Sequence, residues 1–137
     1  MIEELIKQAI HARELSYSPY SGYRVGAALM TDKGAVYTGC NIENAAYTPT
    51  NCAERTAFFK AVSEGQRTFR AIAIVGSLAG EPITQYAYPC GVCRQVMMEF
   101  CDPQTFEVII AKSKKEYQVK KLQELLPDGF GPSNLSE

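Results

Sequence analysis

The sequence predicts an α/β protein, a three-layer α/β/α sandwich around a mixed central sheet of about five strands. Three observations carry that expectation. Two short strand-like segments flank the turn cluster Thr31-Asp32-Lys33-Gly34, as in a hairpin. A later run, 71–75, is apolar without alternation, as strands covered on both faces are, and 106–111 reads as another buried strand. Helical segments separate the strands after the hairpin, so the sheet is expected to lie between helices.

Each element has its own justification. Ile2, Leu5, Ile6, Ala9 and Ile10 keep the i, i+3, i+4 spacing of an amphipathic helix. That helix is expected to end near Ser18-Pro19, because the residue before a proline is pushed out of the α region. His11, the only histidine, lies beside the apolar stripe and reads as a solvated surface residue, a poor metal ligand. Residues 25–30 and 35–40 are the hairpin strands. A polar loop follows, and then 52–63 runs without a helix breaker until Gly65, which makes it a helix. Residues 71–75 form the first buried strand, bounded by Gly76, and 80–88 form a loop. Pro89 opens a second internal helix at 90–100. Residues 106–111 form another buried strand, 116–120 a weaker one and 121–126 a short last helix, before an irregular tail at 129–133. With no repeat, linker or low-complexity stretch, residues 1–137 are expected to form a single domain large enough to close its own core.

Composition narrows the function. The formal net charge of -1, with acids and bases intermixed, offers no basic face for a nucleic-acid backbone. No stretch reaches the ~20 apolar residues of a membrane span, and the acidic, amphipathic start is unlike a secretory signal. The expected compartment is the cytoplasm, where thiols stay reduced. Five cysteines there point to metal binding or catalysis more than to disulfides.

The informative pair of segments is Cys52-Ala53-Glu54 and Pro89-Cys90-Gly91-Val92-Cys93. Three soft thiolates hold zinc and leave its fourth tetrahedral position open, as a catalytic zinc requires. Cys90 and Cys93, three apart at a helix start, put both sulfurs on one side of the turn. Cys52 begins the other helix, and positive helix ends favour thiolates. Glu54 is too close to Cys52 for a comfortable fourth ligand and is better placed to shuttle a proton. This arrangement is the documented signature of zinc nucleobase deaminases in their three-cysteine form. Cys40 and Cys101 lie outside any ligand motif and read as core residues.

The flanking blocks extend the match. Tyr17-Ser18-Pro19-Tyr20-Ser21, Val25-Gly26-Ala27-Ala28-Leu29, Gly39-Cys40-Asn41-Ile42-Glu43-Asn44-Ala45, Cys52-Ala53-Glu54-Arg55-Thr56-Ala57 and Pro89-Cys90-Gly91-Val92-Cys93-Arg94-Gln95 resemble the short, homotetrameric class of zinc-dependent cytidine deaminases. Leu125-Leu126-Pro127-Asp128-Gly129-Phe130 resembles that family's C-terminal element. The resemblance implies the family's fold and one zinc ion per subunit, held by Cys52, Cys90 and Cys93, with Glu54 as proton shuttle. It implies that Asn41 and Glu43 hydrogen-bond the ribose hydroxyls and that the Ala53 backbone N–H helps fix the pyrimidine. Tyr23 falls where the family usually has a phenylalanine beside the base, so its hydroxyl has no inherited role. Arg55 resembles an arginine that hydrogen-bonds the zinc thiolates and offsets their charge. Tyr47 and Phe130 resemble residues that reach a neighbouring subunit's pocket in a homotetramer. The implied reaction is hydrolytic deamination of cytidine, with 2′-deoxycytidine as a further substrate, in nucleoside salvage.

Two other readings remain open at this point. Cys90-Gly91-Val92-Cys93 opening a helix resembles a thioredoxin-like redox motif, although that leaves Cys52-Ala53-Glu54 without a purpose. A structural zinc site closed by Cys40 as fourth ligand needs neither Glu54 nor a sugar contact.

Overall fold

β1 (Tyr23–Thr31) and β2 (Val36–Cys40) form the expected hairpin, in register from Gly26 opposite Cys40 to Met30 opposite Val36. This computed structural model describes residues 1–135, so the last two residues of the expected 1–137 domain lie outside the described residues. β1 also pairs antiparallel with β3 (Phe69–Leu78), and β3 pairs parallel with β4 (Glu107–Ala111). β5 (Tyr117–Lys121) closes the sheet antiparallel to β4, giving the strand order β2-β1-β3-β4-β5. The parallel pair needs a crossover, and α3 (Gly91–Phe100) supplies it.

Both faces of the sheet are covered, as the unbroken apolar runs require. Along β3, Ala71, Ala73 and Val75 join Leu5, Ile6 and Ala9 of α1 (Ile2–Arg13) on one side. Ile72 and Ile74 join Phe58 of α2 (Ala53–Ser63) and Met97 of α3 on the other. Alternate side chains of one strand thus enter opposite cores. The rings of Phe69, Phe100 and Phe106 surround Phe58 with centroids 5.1, 6.1 and 6.1 Å away. Two glycines let the helices touch the hairpin backbone. A Cβ on Gly26 would lie 2.0 Å from the Ala9 carbonyl oxygen, and one on Gly39 would lie 2.5 Å from that of Ala53.

The structure differs from the sequence-based boundaries in three places. α1 ends at Arg13, well before Ser18-Pro19. The chain turns there because the Tyr17 and Glu43 amides close a bridge across Asn41 and Tyr17. The buried Arg13 guanidinium is meanwhile drawn to Ser77 and to the carbonyls of Leu78 and Glu81. β3 runs through Gly76 to Leu78, because β1 already begins at Tyr23 and offers Val25 as the partner of Gly76. The last helix is a single turn, α4 (Leu122–Leu125), and the tail contains a 3-10 turn at Pro132–Asn134. No helix among the described residues is long and apolar enough to cross a membrane.

Candidate active site

Two irregular bridges, Tyr17 to Ile42 and Ile42 to Asn51, gather three separate sequence blocks at the end of the hairpin. The chain leaves them into α2, with Cys52 as its N-cap, while the loop after β3 leads into α3, with Cys90 as its N-cap. Neither N-cap makes a side-chain capping bond. The first-turn amides at both helix starts are therefore left uncapped, and their partial positive charge lies at the ends where Cys52 and Cys90 sit.

Cys52, Cys90 and Cys93 form one group whose ligand atoms all lie within 4.8 Å of one another. Tetrahedral zinc with Zn–S bonds of ~2.3 Å sets its sulfurs about 3.8 Å apart, and the Cys52 and Cys90 Sγ atoms are 3.8 Å apart. The residues fit one zinc ion. Cys40 stands outside this group, at the end of β2, where burial raises its thiol pKa. The set is thus the open three-cysteine one, not the closed site that Cys40 would complete. Cys52 is lowered to about 5, chiefly by the hydrogen bond from Cys93, with Arg55 and Cys90 adding to it. Cys93 is raised in return, because it holds the proton that the pair shares. Arg55 donates from Nη2 to Cys52 Sγ at 3.4 Å, and its buried Nε has no partner among the described residues.

Beside the sulfurs lies a cavity of about 400 Å³, whose lining includes Tyr23, Asn41, Cys52, Ala53, Glu54 and Cys90. Glu54 is 4% exposed, and burial pushes its carboxyl up to about 7, with the Cys52 thiolate adding to the rise. Ala53 is fully buried as the first residue of α2, so its amide is one of those the helix leaves unbonded. Gly39 allows this approach, since any side chain there would strike the Ala53 carbonyl. The Tyr23 ring and hydroxyl lie over Gly76, where a Cβ would stand 3.0 Å from both Cε2 and Oη. The absent side chain at Gly76 makes room for the hydroxyl that sequence alone leaves without a role.

Asn41 spends most of its amide on the scaffold. Its Oδ1 accepts from the Val25 amide at 2.9 Å and from the Ser16 hydroxyl, and its Nδ2 donates to the Tyr23 carbonyl at 2.8 Å. These backbone partners fix the orientation of the amide. One N–H is left over, so Asn41 has a donor to offer. Glu43 lies in an adjoining hollow of about 390 Å³ with Tyr20, Ser21, Tyr47 and Thr50. Its Oε1 accepts from the Tyr20 and Ser21 amides at 3.0 and 3.1 Å, and the Ser21 hydroxyl donates to Oε2. That hydroxyl, above all, lowers the Glu43 pKa. Thr50 lines both spaces. Tyr47, in the left-handed region at φ 63, is 71% exposed. Phe130 is 57% exposed, lines neither space, and accepts from Gln95 Nε2 through its carbonyl at 2.8 Å. The fold thus gathers every predicted site residue except these two aromatics and Glu43 around the sulfurs, with Glu43 and Tyr47 next door.

Sequence reasoning missed part of the wall: Val25, Ile74, Tyr86, Ala87, Tyr88, Thr50 and Asn51. Only Tyr86 and Tyr88 carried a usable signal, two large aromatics just ahead of Pro89-Cys90.

Comparison with known proteins agrees with the geometry. Residues 1–110 match the family model described as the cytidine and deoxycytidylate deaminase zinc-binding region. A protein of Sporosarcina psychrophila named cytidine deaminase is 48% identical, over 98% of this chain and 95% of its own length. One of Halalkalibacterium halodurans with the same name is also 48% identical, over 97% of this chain and 96% of its own length. The crystal structure of cytidine deaminase from Burkholderia pseudomallei superposes with a TM-score of 0.84 at 47% identity, covering 93% of this chain and 97% of that one. With a matching model over most of its length, and relatives of this identity nearly end to end, the chain belongs to the cytidine and deoxycytidylate deaminase family.

Proposed function

We propose that this protein hydrolyses the 4-amino group of cytidine, and of 2′-deoxycytidine, to give uridine or deoxyuridine and ammonia in pyrimidine nucleoside salvage. The observation that carries this reading is the Glu54 carboxyl, buried and lining the cavity beside the three-cysteine zinc set. A buried carboxyl within reach of the reacting atoms can serve as base and acid in turn.

Cys52, Cys90 and Cys93 would hold the zinc ion, which would supply Lewis acidity when bound. Glu54 takes a proton from the water that attacks C4 and delivers it to N3. It then moves the second proton, from the new C4 hydroxyl, to the departing amine, so that the C4–N bond breaks and ammonia leaves. Arg55 offsets the negative charge of the thiolates. The Ala53 amide holds the pyrimidine and the Tyr23 ring packs beside it. Asn41, with its spare donor, and Glu43, which as a carboxylate only accepts, offer complementary partners to the ribose hydroxyls. Such contacts hold C4 against its nucleophile.

No Lys or Arg lines the cavity among the described residues, which supports a nucleoside over a nucleotide. The exposure of Tyr47 and Phe130, with Tyr17 and Val92 also more than half exposed, supports a homotetramer in which the first two reach neighbouring pockets. All five cysteines are free, which suits a reducing cytoplasm. No nucleic-acid or membrane partner is proposed, and the chain is read as a single catalytic domain.

Absorbance-monitored conversion of cytidine by the zinc-loaded protein tests the reading. Wild type should turn over, and Glu54→Gln should keep its zinc while losing at least about 10²–10⁴-fold in kcat. Near-normal turnover in the variant would remove Glu54 from the chemistry, and no conversion by folded, zinc-loaded wild type would remove the nucleoside assignment.

A further inference from the structure

The segment between β3 and Cys90 forms one wall of the cavity, through Tyr86, Ala87 and Tyr88. It is neither helix nor strand, and among the described residues no backbone–backbone hydrogen bond ties 82–88 to the rest of the fold. Side chains hold it instead. The Tyr88 hydroxyl donates to Gln118 Oε1 at 3.1 Å. Lys112 Nζ sits over the Tyr86 ring, 4.6 Å from its centroid, and the two tyrosine rings lie 6.3 Å apart. At the far end Arg94 Nε donates to the Pro89 carbonyl at 2.7 Å. Gln118 lies on β5 and Lys112 immediately follows β4, and neither lines the cavity.

We propose that Gln118 is a positioning residue for substrate binding, acting through Tyr88 to set the wall of the cavity from the β4–β5 hairpin. Lys112, through Tyr86, steadies the same wall. A chain segment with no ladder of its own takes its position from its side chains, and here the anchors of Tyr86 and Tyr88 come from the β4–β5 hairpin, no residue of which lines the cavity. Losing the anchor leaves the proton chemistry intact but lets the wall wander, so the loss falls on KM. An exposed neutral hydrogen bond of this kind corresponds to roughly a threefold to tenfold effect.

The inference rests on the deaminase reading for its kinetic arm only. Gln118→Leu should raise KM for cytidine about threefold to tenfold with kcat within about twofold. Gln118→Glu, which keeps the acceptor, should restore the wild-type KM. Tyr88→Phe should raise KM by the same factor as Gln118→Leu, and the double variant should be no worse than either single one, because both remove a single bond. An unchanged KM in Gln118→Leu, or effects that multiply in the double variant, would overturn the proposal. A second arm needs no turnover: chymotrypsin should cut after Tyr86 faster in Gln118→Leu than in wild type or Gln118→Glu. Inactive wild type would defeat the deaminase reading alone, and equal cleavage of all three proteins would then defeat this one.

Discussion

Glu54 shows how one side chain links chemistry to stability. Its carboxyl is raised from 4.5 to about 7 by burial. Between those values the unfolded chain gives up a proton that the folded, metal-free chain keeps. Folding stability therefore falls as pH rises from the lower value to the upper one, and the loss is complete above about 7. Glutamine has no proton to lose. Metal-free Glu54→Gln should melt above metal-free wild type at about pH 8, and the gap should shrink on going to about pH 4. A gap that stays constant across that range in thermal melts would show that the carboxyl is not desolvated as described. The carboxyl proposed to move protons is thus held at a cost to the fold.

At the scale of elements, the site depends on how closely α2 approaches β2. A Cβ at Gly39 would meet backbone atoms, the Ala53 oxygen at 2.5 Å and the Ala57 nitrogen at 2.6 Å, and neither can swing aside as a side chain would. Gly39→Ala should push the start of α2 off the sheet and carry Cys52 away from Cys90. The expected result is a loss of about 1–3 kcal/mol in urea unfolding, together with faster zinc loss to a chelator. Gly91, at the start of α3, has nothing within 4 Å of an added Cβ, so Gly91→Ala should leave unfolding nearly unchanged. If Gly39→Ala behaved like Gly91→Ala, the backbone contact would have no part in placing the cysteine.

Over the whole molecule, the layers were legible because burial on both faces leaves an unbroken apolar run, and Ala71 to Val75 is one. The zinc set was legible for a related reason: its chemistry needs particular residue types at helix starts, and both starts carry them. What escaped was decided by partners distant in sequence. β3 reaches Leu78 only because Tyr23 pairs with it. Asn41 is clamped by Ser16, Tyr23 and Val25 through bonds that no local pattern announces. Gly76 reads as a strand end in the sequence, yet its missing side chain is the space over which the Tyr23 ring lies.

β5 is the last strand in the sheet order, and its outer side has no neighbouring strand among the described residues. An open edge is a template for another chain. Tyr117 and Val119 are exposed at 38% and 40%, a poor defence in themselves, but Lys120 and Lys121 follow them directly. Charged lysines on an edge discourage edge-to-edge pairing. Lys120→Val should therefore aggregate faster on mild heating, read by light scattering, with its melting temperature little changed. Equal scattering from the two proteins would mean that the edge is shielded by something other than its lysines.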